Sequence, residues 1–439
     1  MNTVQVKIES IDAEGKGIAR VDGKAIFVKD VLPQEEAIIE IYKDRPKFGL
    51  GRLVELLKAS PDRVTPKCPN VGTCGGCSLQ HLSFKAQIAS KQQVLIDNLK
   101  HIGKVTSENL LPPIVGTPWE YRSRAKFSVQ YDAEKHIALV GFLEKGSTAV
   151  ADMQECLIIP KHISDLIPGL RALIVRLSIR AKLPKIEVSV GEKVSVLMFS
   201  AQQTLSKVDQ KLLAEFVVQH STEAHPLQIW IHPKNSNTCY PLTPLEAPRL
   251  SYSLAEFNLE IPYFPAEFIQ VNPLINQQMV DLAVNLLDLD ENDEVLDFFC
   301  GIGNFTMPIA TQVKQVLGIE GNPQLVTRAQ ENAVLNQLDH KISYLTADLY
   351  AIDSNWLTKI GKRNKWLIDP PRIGAMELMN SITSESAPSK IVYVSCNPST
   401  FARDANILVN QHGYTLKNVG IINMFPHTSH VESIAEFVK

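Results

Sequence analysis

Apolar and polar residues alternate in short runs over the first part of the chain. TVQVKIESI, GIARVDGKAIFV and EEAIIEIYK each place an apolar residue at nearly every second position, with glycine or proline between the runs. A period of two is typical of half-buried strands. About five such strands within residues 1–60 predict an N-terminal, OB-like β-barrel.

The pattern over residues 61–265 predicts a β-rich central domain, in which a linker and a cysteine cluster come before a helix. Four apolar residues recur at helical spacing over 83–102: Ile88, Leu95, Leu99 and Ile102. From about residue 117 the chain returns to strand-like runs that prolines interrupt.

Residues 266–439 show a third pattern, in which short apolar runs alternate with helical segments. The runs are EVLDFFC, QVLGIE, ISYLTAD, KWLID and KIVYVSC. This order predicts an α/β domain with a doubly wound, Rossmann-like parallel sheet. Such sheets bind their ligands at the carboxyl ends of the strands.

Polar residues stand at the predicted strand ends. LDFFCGIGNF runs from a strand into a glycine turn but has Asn304 near the place of the third glycine of a dinucleotide fingerprint, which disfavours NAD. Glu320 is suited to ribose hydroxyls, Asp348 to an adenine edge, and Asp369 begins DPPR. A single acid at a strand end is more often a helix cap. Several together favour S-adenosylmethionine (SAM) in a class I methyltransferase.

Cys396 ends the fifth run, at the same predicted rim. One interpretation is a small buried apolar residue. The other is a nucleophile, since Asn-Pro stops the strand and a helix starting near Ser399 is expected to lower the thiol pKa. A thiolate that adds to carbon 6 of uracil makes carbon 5 nucleophilic, and a base must later remove the carbon-5 proton.

MFPHTSHVES, near the end of the chain, contains the candidate base Glu432. The alternative is a solvated glutamate in a turn. His427 and His430 have the spacing of a metal-binding pair, but this spacing alone is weak support for a metal site.

Three cysteines lie close together in CPNVGTCGGCSLQH, and a fourth follows at a distance: Cys68, Cys74, Cys77 and Cys156. Four thiolates suit either a structural zinc or a [4Fe-4S] cluster, and the spacing alone favours zinc. The chain has seven cysteines. Cys300 is expected to pack beside the glycine turn, and Cys239 receives no role.

YRSRAKF places three basic residues on one face of a strand: Arg122, Arg124 and Lys126. They predict either contacts with RNA phosphates or the solvated face of an edge strand. The net charge of −3, from 44 basic and 47 acidic residues, excludes a generally basic, nucleic-acid-coating protein. The chain has no signal peptide or membrane-spanning run, which predicts a cytoplasmic protein without membrane contact, and no obligate protein partner is evident.

Several motifs together resemble one family, the uracil-5 RNA methyltransferases, and within it the bacterial enzymes that act on 23S ribosomal RNA. SCNPSTFARD resembles the family's nucleophile motif and FPHTSHVE its base motif, which implies Cys396 as nucleophile and Glu432 as base. FIQVNPLIN, DFFCGIGNF and GIEGN resemble its cofactor and substrate segments. The resemblance implies these SAM- or uracil-pocket residues: Gln270, Phe299, Asn304, Glu320, Asp348 and Asp369.

The same resemblance implies an RNA-binding TRAM domain at the N-terminus and reverses the preference at the cysteines, from zinc to a [4Fe-4S] cluster. Because the thiolate is expected to be recessed at the sheet rim, the target uridine is predicted to flip out of a 23S RNA loop. Asn423 departs from the family pattern, which has an aspartate there.

Alternative functions remain at this point. The same chemistry could act on another uridine of 23S RNA, or on transfer RNA, although the transfer RNA enzymes typically lack the barrel and the cysteine group. A cytosine-5 methyltransferase would have a Pro-Cys pair, whereas here the order is Cys-Asn-Pro. A non-catalytic iron–sulfur RNA-binding protein would not need both Cys396 and Glu432.

Overall fold

The computed structural model describes residues 3–12, 14–236, 238–242 and 248–439. The strands are β1 (Thr3–Lys7), β2 (Ser10–Ile11), β3 (Gly17–Val21), β4 (Lys24–Lys29), β5 (Glu36–Asp44), β6 (Phe48–Lys58), β7 (Asn109–Leu110), β8 (Arg124–Asp132), β9 (Ile137–Gly141), β10 (Lys185–Val190), β11 (Ser195–Ala201), β12 (Leu227–Pro233), β13 (Tyr240–Pro241), β14 (Ser251–Leu254), β15 (Leu259–Pro262), β16 (Glu294–Phe298), β17 (Gln315–Glu320), β18 (Ile342–Thr346), β19 (Lys365–Ile368), β20 (Lys390–Ser395), β21 (Thr415–Ile422) and β22 (Glu432–Val438).

The α-helices follow the same chain order and include several short ones. They are α1 (Phe84–Asn98), α2 (Lys161–Ser164), α3 (Ile167–Arg176), α4 (Lys207–His220), α5 (Pro273–Leu287), α6 (Thr306–Ala310), α7 (Pro323–Leu335), α8 (Ser354–Ile360), α9 (Met376–Asn380) and α10 (Pro398–Asn406). In the described ranges none of them has both the length and the apolar character that crossing a membrane requires.

The N-terminal strands form one six-stranded sheet in the order β1-β5-β6-β4-β3-β2. Because β1 and β2 follow each other in the chain yet stand at opposite ends of this order, the sheet curls round into a barrel. Val6, Ile26 and Ile39 fill its interior. The predicted barrel is therefore present, and the period-two alternation arises because one face of each strand is buried.

The central part is built on a second sheet, with the order β13-β12-β11-β10-β8-β9. Helices α3 and α4 pack on it, and Phe127, Phe199, Leu170 and Leu213 share its core. β8 pairs with both β10 and β9, so the basic strand is an interior strand of the sheet and not an edge strand.

The C-terminal sheet has the order β18-β17-β16-β19-β20-β22-β21-β7. β16 to β20 pair in parallel, and β22 is inserted antiparallel between β20 and β21. The predicted doubly wound sheet is thus present, and its five parallel strands all end at one edge. That edge is where the polar residues singled out in the sequence come together.

Helix α1 differs from its predicted place. Residues 61–265 were expected to form one central domain, but α1 packs on α10, and β7 pairs with β21 of the C-terminal sheet. The apolar side of the helix explains this, because Leu95 and Leu99 are buried with Phe401 in the C-terminal core. Ile102, assigned to the same face, is 49% exposed, since the helix has ended and a π-helical turn follows at Leu99–Gly103.

Candidate active site

One cavity of about 590 Å³ runs along the carboxyl edge of the C-terminal sheet. Its walls include every residue that the sequence assigned to cofactor, nucleophile and base: Gln270, Phe299, Asn304, Glu320, Asp348, Asp369, Cys396 and Glu432. These residues come from segments spread over more than 160 positions, so it is the parallel sheet that brings them together.

The glycine turn after β16 forms the floor of the cavity. Phe299, Gly301 and Gly303 all have positive φ angles, of 63°, 55° and 96°. A positive φ is costly for a phenylalanine, and such conformations cluster at functional sites. The ring of Phe299 lies 5.7 Å from that of Tyr350, and the two make an aromatic wall. Tyr350 was not predicted, because nothing in the sequence marks a tyrosine two residues after Asp348.

Glu320 is held rigidly at the end of β17. Its carboxylate accepts hydrogen bonds from the backbone N–H groups of Gly301 (3.1 Å) and Asn322 (2.9 Å). One carboxylate has more acceptor positions than these two bonds use, so it can still accept from ribose hydroxyls. Asp348 similarly accepts from the backbone N–H of Tyr350 at 3.0 Å.

Asn304 lines the cavity but uses its amide within the protein. Its Oδ1 accepts from the hydroxyl of Tyr252 (2.8 Å) and from Nδ2 of Asn276 (2.9 Å), and its Nδ2 donates to Oδ1 of Asn276 (2.9 Å). The residue therefore ties the hairpin β14-β15 and helix α5 to the glycine turn. Gln270 lies in the segment between that hairpin and α5 and also lines the cavity.

Cys396 and Glu432 are brought side by side by strand register. Ser395, at the end of β20, pairs with Ser433 of β22. The next residue along β20 is Cys396, and the preceding residue on β22 is Glu432. Asn397 then caps α10 by accepting from the N–H of Ser399 at 3.0 Å, which keeps the cysteine at the rim. Cys396 is partly exposed and Glu432 is buried.

The electrostatics at Cys396 correct one prediction. Burial raises the pKa of the Cys396 thiol to about 12, and the nearby carboxyl groups of Glu432 and Asp369 add to the effect. Arg372 acts in the opposite direction. The lowering of the pKa expected from α10 is therefore wrong for this arrangement, because burial and two acidic neighbours outweigh the helix N-terminus.

Two carboxyl groups of the site have raised pKa values. Burial raises the pKa of Glu432 to about 8, with a further contribution from Asp369, while Arg372 and Lys91 lower it. Burial alone raises the pKa of Asp369 to about 7. A carboxylate with a pKa near the working pH is suited to taking a proton from carbon.

The two histidines of the MFPHTSHVES segment contact different partners. His427 stacks on Trp119, with the ring centres 4.1 Å apart, while His430 Nδ1 lies 2.7 Å from an Nη of Arg372. Arg372, the last residue of DPPR, was not predicted to have a role in the site. It lines the cavity. Its position just after a strand end, three residues beyond Asp369, is the sequence signal that could have identified it.

The loop Asn423–Val431, called the base loop below, leads directly into Glu432. Its partners come from distant parts of the chain: the carbonyl of His427 accepts from the backbone N–H groups of Ser78 and Leu79, both at 2.9 Å. The hydroxyl of Tyr121 donates to the carbonyl of Pro426 at 3.0 Å. The segment that follows the clustered cysteines therefore supports the base loop.

The four predicted cysteine ligands converge, since all of them line one small cavity: Cys68, Cys74, Cys77 and Cys156. The N–H of Gly76 donates to the sulfur of Cys74 at 3.4 Å. Burial raises the pKa of Cys77 to about 11 and that of Cys156 to about 12. Within the described ranges, no group of three or more His, Cys, Asp or Glu side chains is arranged to hold a metal ion.

The three basic residues of YRSRAKF, Arg122, Arg124 and Lys126, have different surroundings. The guanidinium of Arg124 donates to the carbonyls of Glu267 and Pro265, so it supports the segment that carries Gln270. Arg122 donates to the carbonyl of Arg124 at 2.8 Å. Lys126 is exposed. Of the three residues predicted to contact phosphates, Arg122 and Arg124 therefore both form hydrogen bonds within the protein, and Lys126 is the exposed one.

Comparison with known proteins gives matches over the whole chain. Residues 83–437 match the family model described as tRNA (Uracil-5-)-methyltransferase, and residues 2–54 match the TRAM domain. A protein of Chromobacterium violaceum named 23S rRNA (uracil(1939)-C(5))-methyltransferase RlmD is 51% identical over 98% of this chain and 84% of its own. A protein of the same name from Nitrosospira multiformis is 48% identical over 100% and 99%.

A solved structure supports the fold. The crystal structure of Pyrococcus abyssi tRNA (uracil-54, C5)-methyltransferase in complex with S-adenosyl-L-homocysteine has a TM-score of 0.74 and 22% identity, and the match covers 99% of this chain and 100% of that one. At this identity the match supports the fold alone, over 99% of this chain.

Proposed function

Because the chain belongs to the family of uracil-5 RNA methyltransferases, we propose that it methylates carbon 5 of a uridine in 23S ribosomal RNA with SAM as the methyl donor. The names of its 51% and 48% identical relatives specify uracil 1939 of 23S rRNA, and we assign this chain the corresponding site. The observation that carries the proposal is the placement of Cys396 and Glu432 side by side, in one cavity with the cofactor residues.

In this proposal the floor and one wall of the cavity hold the donor. Bound SAM supplies a methyl group on a positively charged sulfonium. Glu320 accepts hydrogen bonds from the ribose hydroxyls and Asp348 from the adenine edge, while the ring of Phe299 covers the adenine. Gln270 and Asp369 lie toward the uracil, and Asn304 supports the pocket through its bonds to Tyr252 and Asn276.

Cys396 supplies the nucleophile. Its sulfur adds to carbon 6 of the uracil, and the electrons of the carbon 5–carbon 6 double bond move toward the oxygen on carbon 4. Carbon 5 of the resulting enolate is nucleophilic and takes the methyl group, whose bond to the sulfonium sulfur breaks and leaves that sulfur as a neutral thioether. The thiol must first lose its proton to solvent, a loss that Arg372 favours and that a cationic donor in the same cavity would favour further.

Glu432 completes the reaction. Its carboxylate takes the proton from carbon 5, the electrons of that C–H bond re-form the carbon 5–carbon 6 double bond, and the bond from carbon 6 to sulfur breaks to release the Cys396 thiolate. The burial of Glu432 supports this role, since it keeps the pKa near neutrality and water away from the adduct.

The RNA has to present an extruded base. Cys396 and Glu432 lie inside a cavity at a sheet edge, which a stacked uridine cannot enter, so the target flips out of its loop. We assign phosphate contacts to the TRAM barrel and to Lys126, which is exposed on β8.

We also propose that the four converging cysteines hold a [4Fe-4S] cluster, with the thiolates of Cys68, Cys74, Cys77 and Cys156 as ligands. Four cysteines around one cavity, three of them within ten residues, is the donor set that such a cluster needs. The contacts from Ser78 and Leu79 to the base loop give the cluster a structural task, which is to order the segment that supports His427.

Replacing one ligand tests the cluster. We expect Cys74→Ser, purified without oxygen, to lose most of its iron and acid-labile sulfide and to unfold at a lower temperature, because metal binding stabilises the fold that it links. Cys239→Ser is the matched control and should keep its iron, its sulfide and the unfolding temperature of the unmodified protein. Stoichiometric zinc without sulfide in the unmodified protein would overturn the proposal.

The proposed substrate is tested by mapping 5-methyluridine in ribosomal and transfer RNA from cells with and without the gene. Loss of the modification at one uridine of 23S RNA, restored by the intact gene, is the expected result. Loss from transfer RNA alone would show that the same chemistry serves a different substrate. An unchanged map in both RNAs would contradict the proposal.

A further inference from the structure

Helix α1 carries two buried polar side chains, one turn apart, that bind the base loop. Gln87 and Lys91 are 1% and 2% exposed. Oε1 of Gln87 accepts from the N–H of His427 at 2.9 Å. The ammonium of Lys91 donates to Oδ1 of Asn423 and to the carbonyl of Phe425, both at 2.8 Å. One helix therefore fixes three alternate positions of the loop that ends at the proposed base.

Lys91 is in an unusual position for a cation. Both of its hydrogen-bond acceptors are uncharged oxygens, the Asn423 amide and the Phe425 carbonyl. Burying an ammonium without an opposite charge is strongly unfavourable, so it favours an anion nearby. Burial lowers the pKa of Lys91 to about 7, and the charge of Glu432 acts to raise it.

The strand register explains why Glu432 is close. Ile422, the last residue of β21, pairs with Glu432, the first residue of β22. Asn423 comes directly after Ile422, so Lys91 binds the residue adjacent to the strand partner of the base. The ammonium is thus anchored beside Glu432 through the base loop, and its influence on that carboxyl group is electrostatic.

We propose that Lys91 is a positioning residue whose positive charge favours ionisation of Glu432, the form that takes the carbon-5 proton. The inference rests on the proposed role of Glu432 as the base. Other groups face the pair and enter the balance: Asp369, Arg372 and Cys396 around Glu432, and His427 and His430 around Lys91. Asp369 opposes ionisation of Glu432. Arg372 supports it, but it is also bound to His430.

The proposal assigns two separable contributions to neighbouring side chains. Gln87 orders the base loop without carrying charge, whereas Lys91 orders the loop and also carries charge. Removing the charge raises the pKa of Glu432, so the carboxyl group stays protonated up to a higher pH and cannot act as a base there. The loss is therefore greatest at low pH and fades as the pH rises through the new pKa.

The test measures release of RNA from its methylated covalent adduct, in single turnovers of the full-length protein, as a function of pH. We expect Lys91→Met to move the acidic limb of the release rate to higher pH by about one pH unit. Gln87→Met should slow release at every pH without moving the limb. Lys85→Met, an exposed lysine on the same helix, should match the unmodified protein.

A second variant leaves Lys91 in place, in case Lys91→Met fails to fold. Asn423→Asp gives the ammonium a carboxylate partner, which offsets its effect on Glu432, so the limb should again move to higher pH. The inference would be overturned if, for both variants, the acidic limb of the release rate lay at the same pH as in the unmodified protein. If Glu432→Gln still accumulates the adduct in that case, the proposed function stands without the role of Lys91.

Discussion

Cys396→Ala should abolish methylation and should also fail to form a covalent complex with RNA that carries 5-fluorouridine at the target position. Without the sulfur, carbon 6 receives no nucleophile and carbon 5 stays too electron-poor to accept a methyl group. Fluorine at carbon 5 leaves no proton to remove, so the normal adduct persists and can be seen by denaturing electrophoresis. SAM binding should remain, because the floor of the cavity is unchanged.

The control for this prediction is a thiol that lies elsewhere. Cys239→Ser removes a partly buried cysteine outside the catalytic cavity and should still trap the RNA. Covalent trapping by Cys396→Ala would remove Cys396 from the mechanism. Loss of trapping by both variants would point to a general failure to fold or to bind RNA.

The sequence predicted the strand ends of the active site because each depends on local information. An apolar run followed by a polar residue marks the point where a buried strand reaches solvent, and parallel strands end at one edge. Glu320, Asp348, Asp369 and Cys396 were located by this rule alone. The barrel could also be predicted from local information, since a period of two is visible within each of its strands.

The contacts that hold the base loop could not be predicted in this way. Gln87 and His427 are separated by 340 positions, and a buried glutamine on a helix has no distinctive sequence pattern. Lys91 is similar, since a lysine in a helix is normally solvated. The placement of α1 could not be predicted for the same reason: its sequence shows an apolar face but not which sheet that face will cover.

The raised pKa of Cys396 has a related origin. The sequence shows the helix that follows the cysteine, but the acids that oppose it come from two other strands. Asp369 follows β19 and Glu432 begins β22, and only the assembled sheet places both beside the thiol. Burial and Asp369 act on Glu432 in the same direction, and raise its pKa to about 8.

Glu432→Gln should convert the enzyme into one that methylates its RNA once and remains attached to it. An amide of the same size can fill the space but cannot take the carbon-5 proton, so elimination stalls after methyl transfer. We expect turnover to fall by about 10²–10⁴-fold, the usual contribution of a general base. The attached RNA should carry the labelled methyl group even when the target is ordinary uridine.

The double variant Cys396→Ala, Glu432→Gln should show no adduct, since the sulfur that forms it is missing. Rapid turnover by Glu432→Gln would instead point to Asp369, the other carboxyl group of the cavity whose pKa burial raises, to about 7.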